Sequence, residues 1–276
     1  MTVEELIVFG KAHIHSVHAK ILLADLLGIN QLDLINHLNE IVSDDISNTY
    51  KRRITMLEAG KPLQYIMENV NFYGKKFYIN ENVLIPRFET EELVENTLIL
   101  INKYFKNEKL NIIDLGCGSG VIGLTLKEKL PTSQVTLLDI SEQALEVAKR
   151  NGKAQNLDVK YIKNDFLEGI TQKFNCIISN PPYIKTNEEI EKIVKDNEPH
   201  LALYAGEDGL NCYRKIFENI KCHLENKYLI ALEIGMTQKD DVINIIEENL
   251  KDNHQIISKK DLQGRDRMIF VIKINE

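Results

Sequence analysis

The chain has 276 residues, of which 43% are hydrophobic, enough for one large core, alone or with a small satellite domain. Its formal net charge of −7 argues against tight binding to bulk duplex nucleic acid, which needs a basic surface. The four cysteines are scattered, the N-terminal residues lack the layout of a signal peptide, and no apolar stretch approaches the roughly 18 residues of a membrane span. We therefore expect a cytoplasmic protein without a disulfide framework, a membrane span or a metal site.

The first 60 residues predict a small helical domain. Apolar residues recur at helical spacing from Val17 to Leu27, and Gly28 follows them as a helix stop. Ser47 is placed to cap a further helix, which Gly60 would end. Since no strand pattern occurs in this part, residues 1–60 are expected to form a helical bundle.

Residues 61–88 predict a connector of a different kind. Pro62 breaks the helical pattern, and residues 71–85 are rich in aromatic and β-branched side chains around Gly74. This composition indicates a β-hairpin with Gly74 at its turn. The hairpin would join the helical domain to the remainder of the chain.

From residue 89 to 276, strand patterns alternate with helical patterns. A helix is expected at 93–104, and Ser141 is expected to cap the helix that follows the second strand. A long insert at 183–210 follows the fourth strand. Alternation of this kind specifies an α/β domain with a doubly wound, mostly parallel sheet. The strands are predicted at 111–115, 135–140, 159–162, 175–179, 228–234 and 267–273.

A glycine-rich turn joins the first strand of this domain to its helix. The turn consists of Gly116, Cys117, Gly118, Ser119 and Gly120. Alternating glycines let the backbone turn sharply and approach a ligand closely, and the helix N-terminus offers free N–H groups that suit a carboxylate. With Asp114 two residues before its first glycine, the turn resembles the first motif of class I S-adenosylmethionine-dependent methyltransferases rather than a dinucleotide-binding motif. The resemblance implies a seven-stranded sheet of that type, S-adenosylmethionine as cofactor and S-adenosylhomocysteine as product.

Acidic residues also stand at the ends of the next two strands. Asp139 ends the second strand, where a carboxylate can accept hydrogen bonds from both hydroxyls of a ribose. Asp165 and Phe166 follow the third strand, where an acid and an aromatic ring can hold and stack on adenine. We therefore expect these three residues to bind the nucleoside part of the cofactor.

The four residues Asn180-Pro181-Pro182-Tyr183 follow the fourth strand, at the same carboxyl edge of the sheet. Two successive prolines cannot belong to a central strand, and they stiffen the exit loop. The nitrogen of an amide or an aromatic amine is a poor nucleophile because its lone pair is delocalised. The Asn180 side-chain oxygen and the Pro181 carbonyl can accept both N–H hydrogens, and these bonds strengthen as positive charge develops on the nitrogen.

Tyr183 is placed to pack against a flat target group, while the neutral Asn180 is not a base. Because the methyl donor is a sulfonium, the remaining requirement is in-line positioning. The motif therefore predicts methyl transfer to a planar nitrogen, with Asn180, Pro181 and Tyr183 as catalytic residues. By itself, it fits a glutamine amide and the exocyclic nitrogen of adenine equally.

The chain also resembles the release factor glutamine methyltransferases (the PrmC/HemK family) over nearly its whole length. The resemblance implies methylation of the glutamine in the Gly-Gly-Gln motif of peptide chain release factors, with the helical domain 1–60 recognising this substrate. The segments that carry it are GKPLQYI (60–66), VLIPRFETEELVE (83–95), NEPHLALYAGEDGLNCYRKI (197–216) and DLQGRDRMI (261–269).

The resemblance also implies roles for residues at the matching positions. The Glu89-Thr90 pair would line the cofactor entrance. The target glutamine would lie against Asn180, Pro181, Pro182 and Tyr183. The cofactor would lie on Gly116, Cys117, Gly118, Ser119, Gly120, Asp139, Asp165, Phe166 and Asn180.

Two positions depart from the family pattern. Phe88 stands where the family usually has a second proline after Ile-Pro-Arg, and Glu68 stands where a glycine is usual. Both lie in the connector, so they concern the local geometry of the hairpin region and not the reaction.

Three alternatives accompany this interpretation. They are methylation of another protein glutamine, for example on a ribosomal protein, methylation of adenine in DNA or RNA, and cofactor binding without catalysis. The helical first 60 residues and the segment 83–95 argue against the first, the net charge against the second, and Asn180 with an intact glycine turn against the third. We expect a monomer whose partners are release factors and which forms no stable complex with nucleic acid or membranes.

Overall fold

The computed structural model describes residues 1–106, 108–218 and 220–274. The chain divides into two compact units, one of Met1–Val70 with Glu191–Asn197 and one of Asn71–Ile190 with Glu198–Glu276. Residues 275 and 276, with which the predicted third segment ends, lie outside the described residues.

The first unit is helical, as predicted. Apolar side chains from its helices bury a common core that includes Leu6, Leu22 and Tyr50. Gly28 ends the second helix in the left-handed conformation, with φ of +67°, which confirms its predicted role as a helix stop. The helices are α1 (Val3–His13), α2 (Ser16–Leu27), a 3₁₀ helix (Gln31–His37), α3 (Asp44–Glu58) and α4 (Leu63–Met67).

The predicted cap of α3 was wrong. Ser43, not Ser47, caps this helix, and its hydroxyl accepts a hydrogen bond from the backbone N–H of Ile46 at 3.4 Å. The two aspartates that follow Ser43 occupy the first turn, where negative charge favours a helix N-terminus. Ser47 therefore lies inside the helix, where it is buried.

The predicted hairpin is present at the point in the chain where the first unit ends and the second begins. Strands β1 (Asn69–Phe72) and β2 (Lys75–Tyr78) form a two-stranded sheet. Tyr73 and Gly74 between them both have positive φ, +50° and +77°, as the tight two-residue hairpin turn requires.

A seven-stranded sheet forms the centre of the second unit and confirms the predicted fold class. Its strand order is β5-β4-β3-β6-β7-β9-β8, and β9 pairs antiparallel with β7 and β8, while the four other adjacent pairs of described strands are parallel. The strands are β3 (Asn111–Leu115), β4 (Gln134–Asp139), β5 (Lys160–Lys163), β6 (Phe174–Ser179), β7 (Leu224–Glu233), β8 (Gln255–Lys260) and β9 (Asp266–Lys273).

Helices lie between these strands along the chain. Because they cover the sheet, the central strands are continuous buried runs, as in Ile112 and Ile113 of β3. The helices are α5 (Phe88–Phe105), α6 (Val121–Lys129), α7 (Glu142–Ala154), α8 (Lys192–Asn197, in the first unit), α9 (Asn211–Glu218) and α10 (Lys239–Asn249).

Sequence patterns did not locate β8. This strand lies at the edge of the sheet, and its residues are exposed or only half-buried. It therefore carries neither a buried apolar run nor a clean alternation of apolar and polar residues, the two patterns that identify strands.

The order of the sheet creates a crevice. The chain proceeds outward from β3 through β4 to β5, and then returns to β6 on the other side of β3. In doubly wound sheets, ligands bind at the carboxyl ends of the strands where the order reverses. Here that place is the carboxyl end of β3 and β6.

The structure accounts for both departures from the family pattern. Phe88 is the first residue of α5 and is 61% exposed. A proline fits this position equally well, because the backbone N–H of the first helical residue has no partner within the helix. Glu68 ends α4 with φ of +58°, a left-handed conformation that glycine adopts without steric cost. No described helix is long and apolar enough to cross a membrane.

Candidate active site

A cavity of about 340 Å³ opens at the carboxyl ends of β3, β4 and β6. The structure brings together there most of the residues predicted from the sequence. Of the predicted residues, the cavity is lined by Gly116, Cys117, Gly118, Ser119, Asp139, Asp165, Phe166, Asn180 and Pro182.

Main-chain hydrogen bonds hold the glycine turn. The N–H groups of Gly116 and Cys117 both donate to the Leu138 carbonyl, at 2.8 and 2.9 Å. The backbone φ angles of Gly116 and Gly118 are positive, and no atom lies within 4 Å of where a Cβ would stand. Each therefore leaves open space towards the cavity, whereas a Cβ on Gly120 would meet Ala148 at 3.1 Å, so Gly120 serves packing.

The carboxylate of Asp139 organises the turn. Its two oxygens accept hydrogen bonds from the N–H groups of Gly118 at 2.8 Å and Ser141 at 2.9 Å. Burial raises the pKa of this carboxyl, although the backbone N–H groups oppose the shift. Each oxygen keeps a further lone pair that is able to accept a hydrogen bond. The binding of ribose hydroxyls by Asp139 stays a prediction.

Asp114, the acid before the turn, lies beneath it and is fully buried. One carboxylate oxygen accepts a hydrogen bond from Gly123 N–H of α6 at 2.9 Å, while the other oxygen has no partner among the residues that the structure describes. Burial raises the pKa of Asp114 to about 7. A Cβ on Gly123 would stand 2.1 Å from a methyl group of Leu137, so this glycine, which the sequence analysis did not single out, allows α6 to approach the sheet.

The predicted adenine end of the cavity is formed by the turn after β5. Asp165 forms an ion pair with Lys215 of α9 at 2.5 Å. Phe166 has φ of +48°, and the Asn164 side chain holds this turn by donating to the Phe166 carbonyl at 3.0 Å. Cys212 and Lys215 of α9 also line the cavity. No local sequence signal predicts this, because α9 lies far from the turn along the chain.

At the other end of the cavity, the Asn180 side chain is hydrogen-bonded in series to two further side chains. Its Nδ2 donates to Thr90 Oγ1 at 3.1 Å, and the Thr90 hydroxyl donates to Glu233 Oε2 at 2.7 Å. Ser179 of β6 pairs with Leu232 of β7, and Asn180 and Glu233 are the residues that follow them. Glu233 was not anticipated, since no local sequence signal connects it with Asn180.

Tyr183 lies on the side of this loop that faces the protein core. It packs against the main hydrophobic cluster, and its hydroxyl accepts a hydrogen bond from Arg267 at 3.5 Å. Gln238 fixes its backbone by donating to the Tyr183 carbonyl at 2.9 Å. Burial, followed by the nearby Glu233 carboxyl, raises the pKa of Tyr183 to about 12, so the phenol stays neutral. Its packing against a target group stays a prediction.

Two of the segments that carry the family resemblance, 83–95 and 197–216, meet beside the cavity. The buried Glu198 carboxylate accepts hydrogen bonds from the Arg87 guanidinium at 2.6 Å and the Ile85 N–H at 3.1 Å. Of the Glu89-Thr90 pair, Thr90 lines the cavity, whereas Glu89 is bound by Arg265 at 2.8 Å. The segment 83–95 is thereby tied both to the insert after β6 and to the loop before β9.

Cys212 and Cys117 both line the cavity, and the thiol of Cys117 lies within the glycine turn. Burial raises the pKa of this thiol well above its usual range, so it stays protonated and is a poor nucleophile. Within the described ranges, no three His, Cys, Asp or Glu side chains are grouped so that they could hold a metal ion. The chemistry available here is that of hydrogen-bond acceptors, a glycine turn and a helix N-terminus.

Comparisons with known proteins match both parts of the chain. Residues 11–67 match the PrmC N-terminal domain, and residues 87–202 match the Methyltransferase small domain. A relative from Bacillus cereus is 36% identical over 256 residues, covering 91% of this chain and 90% of the relative. A relative from Streptococcus pneumoniae is 41% identical over 234 residues, covering 84% and 82%. Both relatives are release factor glutamine methyltransferases.

A solved structure supports the fold. A methyltransferase from Pyrococcus furiosus superposes with a TM-score of 0.52 at 18% sequence identity, covering 80% of this chain and 96% of that one. At this identity the likeness concerns the architecture of the sheet and its helices.

Proposed function

The chain belongs to the release factor glutamine methyltransferase family, and we propose that it methylates the side-chain amide nitrogen of the glutamine in the Gly-Gly-Gln motif of peptide chain release factors. The relatives support the choice of substrate, and the observation that carries the transfer chemistry is the hydrogen bond from Asn180 Nδ2 to Thr90 Oγ1 at 3.1 Å. Because the amide's donor end is occupied, its acceptor oxygen is left for a substrate nitrogen at the cavity.

The end of the cavity beside Asn180, the transfer end, suits a planar nitrogen. The Asn180 side-chain oxygen and the Pro181 carbonyl accept the two N–H hydrogens of the substrate amide and hold the nitrogen in line with the methyl group. Both hydrogen bonds strengthen as the nitrogen becomes positively charged, so they stabilise the transition state more than the bound substrate. The methylated nitrogen then loses one proton, and no residue of the chain has to act as a base before the attack.

The cofactor end suits S-adenosylmethionine, which supplies an electrophilic methyl group when it is bound. Open space beside Gly116 and Gly118 lets a ligand approach the main chain, and the N-terminus of α6 offers N–H groups to a carboxylate. Asp139 has lone pairs for ribose hydroxyls, and Asp165 with Phe166 lies at the place proposed for adenine. The product of the cofactor is S-adenosylhomocysteine.

We propose that the helical residues 1–60 recognise the release factor and that 89–276 form the methyltransferase domain, with 61–88 connecting them. Acting on release factors places the enzyme in the cytoplasm, and nothing in the proposed reaction requires more than a monomer.

The test is a transfer assay with radiolabelled S-adenosylmethionine. Release factor, ribosomal proteins, DNA and RNA are offered separately, together with a release factor whose Gly-Gly-Gln motif carries alanine in place of glutamine. We expect label on the unaltered release factor and none on the altered one. Label on ribosomal protein or nucleic acid alone would refute the proposed substrate and would support the corresponding alternative.

A further inference from the structure

Three side chains beside the cavity form a hydrogen-bonded series that ends in a buried carboxyl group. Asn180 Nδ2 lies 3.1 Å from Thr90 Oγ1, which lies 2.7 Å from Glu233 Oε2. Thr90 is 3% exposed and Glu233 is 1% exposed, so water does not compete for these bonds. Thr90 lies in the first turn of α5, Glu233 at the end of β7 and Asn180 in the loop after β6.

The chemistry of the three groups determines the direction of the series. An ionised carboxylate is only an acceptor, so the single hydroxyl hydrogen of Thr90 must be donated to Glu233. The Thr90 oxygen can then only accept from Asn180, whose amide must turn its NH₂ group towards Thr90. The amide oxygen is left for the substrate. An asparagine has no such preference by itself, because its oxygen and nitrogen ends have nearly the same size and shape.

We propose that Glu233 and Thr90 are positioning residues, which fix the orientation of the Asn180 amide so that its oxygen faces the substrate nitrogen. This inference rests on the function proposed above. Neither residue touches the reacting atoms in this account, since both act through Asn180.

The burial of the Glu233 carboxyl makes the series sensitive to pH. Tyr213 donates its hydroxyl hydrogen to the Glu233 backbone carbonyl at 2.9 Å. Burial raises the pKa of Glu233 to about 7. The groups that face its carboxyl are Thr90, Arg87 and Glu89 at the start of α5, Arg267 on β9 and Tyr183 after β6.

Protonation of Glu233 would reverse the series. A protonated Glu233 can donate to the Thr90 oxygen, which frees the Thr90 hydrogen to bond the Asn180 amide oxygen after the amide turns over. That oxygen is then unavailable to the substrate. Because the ionised form is the productive one, turnover rises with pH as Glu233 loses its proton, and it falls at acidic pH.

The test compares four variants with the unaltered enzyme on release factor and S-adenosylmethionine. Thr90→Val removes the hydroxyl, Thr90→Ser keeps it, and Glu233→Gln replaces the acceptor carboxylate by a group that can also donate. Thr97→Val is the matched control, since Thr97 is a fully buried threonine of the same helix whose hydroxyl donates to the Leu93 carbonyl at 2.7 Å, within its own helix. The kcat and KM are measured between about pH 5 and pH 9, and melting temperatures report folding.

We expect Thr90→Val and Glu233→Gln to lower kcat about tenfold or more, as for loss of one well-oriented hydrogen bond, with a smaller change in KM. Thr90→Ser and Thr97→Val keep kcat within about threefold of the unaltered enzyme, a factor too small for the loss of such a bond. The rise of kcat around pH 7 is lost in Glu233→Gln. A Thr90→Val enzyme with unaltered kcat, or a Glu233→Gln enzyme with an unaltered pH profile, overturns the inference.

A second measurement needs no substrate and separates this inference from the proposed function. The side-chain NH₂ signals of Asn180, assigned by their loss in Asn180→Ala, are followed by NMR as the pH changes. We expect them to titrate with Glu233 in the unaltered chain and to stay constant in Glu233→Gln and Thr90→Val. Signals that do not titrate in the unaltered chain overturn the positioning role, whereas failure to label any release factor overturns only the proposed substrate.

Discussion

The two ends of the cavity are constructed in different ways. At the cofactor end, Asp139 accepts from the backbone N–H groups of Gly118 and Ser141, which are 21 and 2 residues away along the chain. At the transfer end, Asn180 is held by Thr90, which is 90 residues from it along the chain, and Thr90 is held by Glu233, which is 143 residues from Thr90. The first end is mainly a backbone structure, and the second depends on the identity of single side chains.

This difference predicts how strongly substitutions at each end affect binding and catalysis. A site made of main-chain groups keeps much of its binding when one side chain changes, because the turn and the helix N-terminus remain. A site made of one side-chain acceptor loses its function when that acceptor is removed. The following substitutions test this contrast.

The largest effect is expected for Asn180→Ala. It removes an acceptor that would strengthen its hydrogen bond in the transition state, and losses of a comparable group lower kcat about 10²- to 10³-fold. Cofactor binding should persist, because the glycine turn is unchanged. The check is single-turnover kinetics together with calorimetry of S-adenosylmethionine binding.

Asn249→Ala is the control for that substitution, since the Asn249 side chain on α10 donates to the Ile245 carbonyl of its own helix, at 2.8 Å. It should leave the rate unchanged. Near-normal turnover in Asn180→Ala would contradict the assigned role of the Asn180 oxygen.

A smaller effect is expected for Asp139→Ala. The substitution leaves two backbone N–H groups and the proposed ribose hydroxyls without their acceptor, which should weaken cofactor binding by about 1–3 kcal/mol. Calorimetry measures the affinity, with Asp240→Ala as a control because the Asp240 side chain is 89% exposed. An unchanged affinity in Asp139→Ala would show that the cofactor does not use this carboxylate.

The smallest effect is expected for Asp114→Asn, which concerns stability. The pKa of Asp114 is raised from 3.8 to about 7 in the folded chain, by burial. As pH rises through this range, the unfolded chain releases the proton while the folded chain retains it, so the free energy of unfolding falls with increasing pH. Asparagine can keep the bond to Gly123 N–H without this loss.

We therefore expect Asp114→Asn to be more stable than the unaltered chain at pH 8, by about 1–2 kcal/mol, and to show a smaller difference at pH 4. Urea unfolding at both pH values measures this. A variant that is less stable at pH 8 would mean that the ionised Asp114 is stabilised by contacts beyond the single bond to Gly123.

Much of the cofactor end could be predicted from the sequence. Strands β3, β4 and β6 are short apolar runs, and the glycine turn, the Ser141 cap and the acids at strand ends are local signals. In a doubly wound sheet, the carboxyl ends of parallel strands meet at one edge, so residues at those ends could be placed together without knowledge of any contact.

The transfer end could be predicted only in part. Asn180 and the prolines after it were recognisable from their order, but the role of Thr90 as their partner and the presence of Glu233 were not. The same is true of Lys215 beside Asp165 and of Arg87 with Glu198. These pairs join segments whose distance along the chain bears no relation to their distance in space.

The sequence by itself determined the fold class, the glycine turn and the presence of Asn180 at a strand end, because these depend on patterns only a few residues long. The tertiary structure decided which end of the Asn180 amide is anchored and which is free. That outcome requires β6 and β7 to pair in the register that places Asn180 beside Glu233, with the first turn of α5 bringing Thr90 between them. Strand register and helix packing depend on contacts throughout the core, so no local sequence pattern predicts them.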